Sequence, residues 1–170
     1  LRGWYRDLVI AGVFLTRLPL RVSGEFVAQD LSRVVWAFPL IGVVVGVLSG
    51  GALMAAAELN LHPLACAFIA LAVSALVTGA LHEDGLADVV DGFGGGQARD
   101  DKLKIMRDSQ IGTYGVLALV FSVGLKAALL AGLLGPGMAA ASLLAAAVLS
   151  RSVLPAMMSL MPRARTDGLA

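Results

Sequence analysis

Four carboxylates fall within nine residues near the middle of the chain, and no Lys or Arg occurs from residue 34 to 98 to neutralise them. Asp84, Asp88 and Asp91 are spaced i, i+4, i+7, so they share one face if the segment is helical, whereas Glu83 points elsewhere and has a supporting or capping role. Aligned carboxylates of this kind suit Mg²⁺, which proteins hold through one or two carboxylates plus phosphate oxygens. The pattern predicts a Mg²⁺ site, against the alternative of a solvated acidic helix end that binds nothing.

Basic residues follow directly, since Arg99, Lys102, Lys104 and Arg107 lie within nine residues. A metal-binding face next to cations is typical of a site for a phosphate ester or a pyrophosphate. The alternative is that these cations only anchor the loop at the cytoplasmic side of a membrane.

Asp108 opens the next apolar stretch and has two interpretations. It either caps a helix N-terminus or completes the metal site from across the loop. Gly112 and Gly115, which follow it, allow a neighbouring helix or a ligand to approach closely.

Two further cations lie inside apolar runs. Arg151 is near the centre of its run, where a cation by default faces a bundle interior or a cavity and pairs with a carboxylate or a phosphate. Lys126 has a second explanation, because its long side chain can reach the membrane surface from a tilted helix.

The composition identifies the environment that must position these residues. Of 170 residues, 58% are hydrophobic and 15% are charged, with a net charge of +1 and a mean hydropathy of +0.86. These values exclude a disordered tail and a basic nucleic-acid-binding domain. The single cysteine, Cys66, excludes an internal disulfide and a Cys-cluster zinc site.

Four apolar runs predict four membrane-spanning helices, at 34–57, 63–81, 111–134 and 138–161. If the second helix continues past Leu81, it presents the aligned carboxylates, and Gly92 with the glycines at 94–96 ends it. The run at 8–20 is short for a span and predicts an interfacial or re-entrant helix. The expected fold is therefore an all-α polytopic integral membrane helix bundle.

The distribution of Lys and Arg predicts the orientation of the bundle. Residues 1–33 contain five, 83–110 four and 162–170 two, whereas the connections at 58–62 and 135–137 contain none. This alternation places the N-terminus and the 83–110 loop in the cytoplasm. We expect one membrane domain over 1–170, truncated at its C-terminus, with 83–110 as its cytoplasmic active-site loop.

Two motifs resemble one family, the cobalamin (5'-phosphate) synthases, which act as adenosylcobinamide-GDP ribazoletransferases. They are HEDGLADVVDGFGG at 82–95 and KIMRDSQIGTYG at 104–115, and shorter segments at 14–19, 150–151 and 163–169 resemble the family in the same order. Members of the family are usually longer, with more membrane helices after the last segment.

The resemblance implies a Mg²⁺-dependent transferase of the bacterial cytoplasmic (inner) membrane. The 5' oxygen of α-ribazole, or of its 5'-phosphate, attacks the phosphate that bears cobinamide in adenosylcobinamide-GDP, and GMP leaves. The implied partners are these two substrates and the lipid bilayer, with no nucleic acid; a homo-oligomer is compatible with the resemblance.

The same resemblance implies roles for individual residues. Asp88, Asp91 and Asp108 are the candidate catalytic residues, one of them acting as the base. The implied Mg²⁺ ligands are Asp84, Asp88, Asp91 and Asp108, and the implied pyrophosphate- or GMP-binding residues are Arg99, Lys104, Arg107 and Arg151.

Two other functions stay open at this point. An ion-coupled secondary transporter would use the carboxylates as an ion site, but such sites lie near the bilayer midplane between paired repeats, and no repeat is visible here. A membrane scaffold subunit without catalysis is the other alternative.

Overall fold

The structure is a computed structural model that describes residues 2–22 and 29–161. The family-like segment at 163–169 and the two cations of 162–170 lie outside this range. The described residues form helices and connecting turns without strands, which confirms the all-α prediction. The helices are α1 (Arg2–Leu15), α2 (Gln29–Val34), a 3-10 turn (Val35–Ala37), α3 (Phe38–Glu58), α4 (Pro63–Thr78), α5 (Leu81–Gly95), α6 (Arg99–Ile105), α7 (Thr113–Ala131) and α8 (Pro136–Leu160).

Three helical stretches are long and apolar enough to cross a membrane: Leu31–Glu58, Thr113–Ala131 and Pro136–Leu160. A fourth span results if α4 and α5, which are joined by a sharp bend, are counted together. The prediction of a multi-pass bundle with about four spans is therefore confirmed by length and composition.

The predicted continuation of the second span past Leu81 is wrong. The helix ends at Thr78, and the chain turns by 91° before α5 begins. Gly79 and Ala80 both adopt left-handed backbone conformations, with φ of +65° and +56°, which no α-helix can include. The Arg17 N–H donates to the Val77 carbonyl at 2.7 Å, and the Arg17 side chain covers the face of Gly79 where a Cβ would stand. The N-terminal segment thus fixes the bend.

The N-terminal helix α1 packs on the start of α3. Ile10, Ala11 and Leu15 are buried against Val34 and Phe38. Only the first part of the predicted 8–20 helix forms, because α1 ends at Leu15.

Asp7 joins this N-terminal unit by polar contacts. It is buried and accepts hydrogen bonds from Arg33 at 2.8 Å and from the Trp36 indole at 3.4 Å. These contacts tie α1 to the residues just before α3.

The centre of the bundle is the contact between α3 and α8, which sequence analysis missed. A Cβ at Gly42 would lie 2.5 Å from the Ala147 carbonyl oxygen, and one at Gly46 would lie 2.7 Å from the Leu144 Cα. One turn further, a Cβ at Gly50 would lie 3.3 Å from the Cβ of Ala140, a tight contact. Glycines at every fourth position let two helices approach backbone to backbone, which is how membrane helices associate without a hydrophobic driving force. The G-x-x-x-G spacing in the sequence was the available signal.

Candidate active site

The α5 helix carries the predicted acidic residues and divides them between two environments. Asp84 is exposed and Asp88, one turn later, is partly buried, so these two carboxylates form the accessible acidic face. Glu83 is half-buried and lies off this face, as predicted, in a cavity inside the bundle.

Asp91, predicted as a third ligand on the same face, contacts the start of α7. It is 8% exposed, and its two oxygens accept hydrogen bonds from the Gly112 N–H at 2.7 Å and the Gly115 N–H at 2.8 Å. The first N–H groups of a helix have no partner within it, and Gly112, at the N-cap, has no side chain to supply one. The Asp91 carboxylate supplies the cap from another helix and adds a negative charge at the positive end of α7.

Gly112 and Gly115 are glycines because Asp91 occupies the space of their side chains. A Cβ at either position would collide with the Asp91 carboxylate. The predicted close approach at these glycines is therefore confirmed, with a neighbouring helix as the partner.

Glycines at the end of α5 set the position of α6. The predicted end of this helix at its glycines is confirmed at the run 94–96, since α5 continues through Gly92 to Gly95 and Gly96 is its C-cap. A Cβ at Gly92 would lie 2.8 Å from the Met106 side chain, and one at Gly96 would lie 2.7 Å from the Lys102 backbone nitrogen. Lys102 also places its ammonium group 4.5 Å from the centre of the Phe93 ring, a cation–π contact. These contacts hold the basic helix beside the acidic one.

The predicted phosphate-binding cations lie on two different sides of the site. Arg99 begins α6, and Lys104 and Arg107 line a surface depression of about 300 Å³ together with Asp100 and Leu103. Arg151, by contrast, is 4% exposed inside the bundle.

Asp108 does not cap α7, because the helix begins five residues later. Its side chain is exposed and accepts the Gln110 N–H at 3.1 Å, a local turn.

The accessible carboxylates fit Mg²⁺ as a pair. Among residues 2–22 and 29–161, no three His, Cys, Asp or Glu side chains converge on a point that could hold a metal ion. Asp84 and Asp88 remain as a pair, and Mg²⁺ is commonly bound by one or two carboxylates together with substrate phosphates and water. The pair fits that requirement, and the protein alone does not complete the coordination.

Arg151 faces a cavity of about 570 Å³ that is lined by residues of α3, α4, α5, α7 and α8, here named the α7–α8 cavity. Its Nη1 donates to the Ala147 carbonyl at 3.1 Å and to Ser150 Oγ at 3.3 Å. Its Nε, and Oε2 of Glu83 in the same cavity, are buried without a hydrogen-bond partner in the described part of the chain. The prediction that Arg151 faces a bundle interior or cavity is confirmed. Lys126 also lines this cavity.

Comparison with known proteins assigns the chain to a family. The model of the family described as cobalamin-5-phosphate synthase matches residues 7–170. The chain belongs to this family.

Curated relatives agree with the family match. The relatives are named adenosylcobinamide-GDP ribazoletransferase. The one in Bradyrhizobium diazoefficiens is 46% identical to this chain, over all of this chain and 65% of its own length. The relative in Azorhizobium caulinodans is 47% identical over 95% of this chain and 63% of its own length. The relative in Mesorhizobium japonicum is 44% identical over 96% of this chain and 63% of its own length. The chain therefore spans slightly less than two thirds of these relatives' length. No solved structure matches it.

Proposed function

We propose that this chain carries out the transfer named in its relatives. The cobinamide-bearing phosphate of adenosylcobinamide-GDP moves to a free ribose hydroxyl of α-ribazole or of α-ribazole 5'-phosphate, because the 5' oxygen of the latter is already esterified, and GMP leaves. The observation that carries the proposal is the pair of carboxylates Asp84 and Asp88 on α5, the helix whose C-terminal end contacts the basic helix α6. The relatives' names are those of transferases, so the transporter alternative has no support.

The acidic pair is proposed to bind Mg²⁺ together with the pyrophosphate of the donor. A bound Mg²⁺ neutralises phosphate charge and orients the leaving group. Asp108 is the further proposed ligand from the loop. Asp91, also a proposed ligand and base at the outset, contributes by holding α7 against α5, because both of its oxygens already accept hydrogen bonds.

The remaining groups have roles set by their chemistry. Lys104 and Arg107, with Arg99, are proposed to bind the pyrophosphate and the departing GMP, since cations stabilise the charge that develops on a leaving phosphate. Asp88 is the proposed base, since the attacking ribose hydroxyl must lose a proton as its oxygen attacks.

The Lys and Arg distribution supports a location in the bacterial cytoplasmic membrane with this loop and the N-terminus facing the cytoplasm. The donor is a water-soluble phosphate ester, and a cytoplasmic loop gives it access.

The test is GMP release from adenosylcobinamide-GDP and α-ribazole by the purified protein in lipid nanodiscs. We expect activity with Mg²⁺ and none after chelation. Asp88→Asn should lower kcat/KM by about 100-fold, the order found when metal-site groups are altered. Glu58→Gln, at an exposed carboxylate where α3 ends, is the matched control and should be fully active. Full activity of Asp88→Asn, or release without a divalent cation, contradicts the site.

A further inference from the structure

The α7–α8 cavity has a wall and a polar end that call for different ligand groups. Side chains such as Phe68, Leu71, Leu143 and Leu154 make its wall largely apolar. Arg151 contributes an unpartnered donor, Nε, and Glu83 an unpartnered acceptor, Oε2. Buried polar atoms of proteins are nearly always hydrogen-bonded, so this pair is best explained by a ligand that completes it.

A ligand that satisfies both atoms must accept from Arg151 and donate to Glu83 while placing an apolar body in the cavity. An inorganic phosphate dianion has one O–H donor besides its acceptors but no apolar body, and a hydrocarbon chain offers neither a donor nor an acceptor. A hydroxyl both donates and accepts, so a sugar that bears a flat apolar group meets all three requirements. The cavity volume of about 570 Å³ lies in the range that encloses a ligand of nucleoside size.

The cavity lies next to the acidic face through α5. Glu83 and Asp84 are consecutive residues, so they lie about 1.5 Å apart along the helix axis and about 100° apart around it. A sugar held by Glu83 therefore lies against α5, the helix that also carries Asp84 and Asp88. The cavity and the acidic pair can therefore hold the two substrates of one reaction.

We propose that the α7–α8 cavity is the binding pocket of the nucleoside acceptor. The methylated benzimidazole base of α-ribazole lies among the apolar side chains, and its ribose hydroxyls bridge Arg151 and Glu83. The inference rests on the proposed function, because that function supplies this acceptor. It assigns Arg151 to the acceptor, and leaves the donor pyrophosphate to the acidic pair and the cations of α6.

Two variants of α8 test the pocket. Ala146 lines the cavity and its neighbour Ala145 does not, while both are exposed alanines on the same helix. Ala146→Phe should fill the pocket and weaken binding of radiolabelled α-ribazole, measured by equilibrium dialysis without donor, by about tenfold or more. Its KM for α-ribazole should rise equally, with the KM for adenosylcobinamide-GDP unchanged. Ala145→Phe should change neither, and equal thermal midpoints show that both variants fold.

The probes also distinguish the ligand. Dimethylbenzimidazole without ribose should bind more weakly than α-ribazole, since it cannot reach Glu83. If native mass spectrometry shows that Ala146→Phe loses a bound phospholipid while α-ribazole binding is unchanged, the cavity is a lipid site and the proposal is overturned.

Failure of this inference differs from failure of the proposed function. GMP release with an acceptor KM that Ala146→Phe leaves unchanged overturns the pocket and keeps the transferase. Binding of α-ribazole that depends on Ala146, without any GMP release by the unaltered protein, keeps the pocket and overturns the transferase.

Discussion

Asp91→Ala removes the acceptor of two backbone hydrogen bonds at the start of α7, those from Gly112 and Gly115. Hydrogen bonds to a charged group contribute about 1.5–3 kcal/mol each, and the residue is buried, so solvent screens them little. Removing the carboxylate also takes a negative charge from the positive end of a helix of 19 residues. We expect the free energy of unfolding to fall by about 3–5 kcal/mol.

Two comparisons make this prediction specific. Asp91→Asn keeps one carbonyl acceptor and the side-chain shape, so it should lose about half as much. Asp84→Ala removes an exposed carboxylate from the same helix and should change stability by less than about 0.5 kcal/mol.

Denaturant titration of the protein in mixed detergent micelles, followed by circular dichroism, measures all three variants. If Asp91→Ala unfolds at the same denaturant concentration as the unaltered protein, then the carboxylate does not cap α7, and the interpretation of Asp91 as a structural anchor is refuted. A loss of the same size in Asp84→Ala would show that charge on α5, and not the cap, determines stability.

Two backbone predictions can be checked by thermal unfolding in the same micelles. Gly46→Ala should destabilise the fold by about 1–3 kcal/mol, because its Cβ would lie 2.7 Å from the Leu144 Cα. Gly51→Ala, which meets nothing within 4 Å, should instead stabilise by up to about 1 kcal/mol through helix propensity; the same sign for both variants would contradict the α3–α8 contact. Ala80→Gly should raise stability by about 0.5–1 kcal/mol, because glycine adopts its φ of +56° without steric cost, and a loss of stability would show that the bend stores no strain.

The sequence predicted the helices that apolar length determines and the presence of an acidic and a basic segment. It did not predict the bend after Thr78, because hydropathy does not report the left-handed backbone conformation that ends a helix. The glycine at position 79 was the available signal for this conformation. It grouped Asp91 with Asp84 and Asp88 because i, i+4, i+7 spacing describes position on one helix only. Whether a carboxylate binds a ligand or caps another helix depends on where α7 begins, more than 20 residues later.

A similar limit applied to the bundle centre. The glycines of α3 are readable as a packing motif, but their partner on α8 lies beyond four intervening helices. Local pattern identifies such a face and does not identify its partner. The pairing of Glu83 with Arg151 in one cavity was hidden for the same reason, since each residue was assigned its environment separately.

The contact between α3 and α8 also has a consequence for the order of assembly. The ribosome delivers α3 early and α8 last among the described helices, so the glycine face of α3 waits for its partner while α4 to α7 are synthesised. When α8 follows, Arg151 enters the membrane with it at a cost of at least about 2.5 kcal/mol on insertion scales. Docking of α8 relieves this cost and creates the cavity in the same step. A weakened α3–α8 contact should therefore first appear as slow assembly and protease sensitivity of newly made chains, before any change in the mature protein.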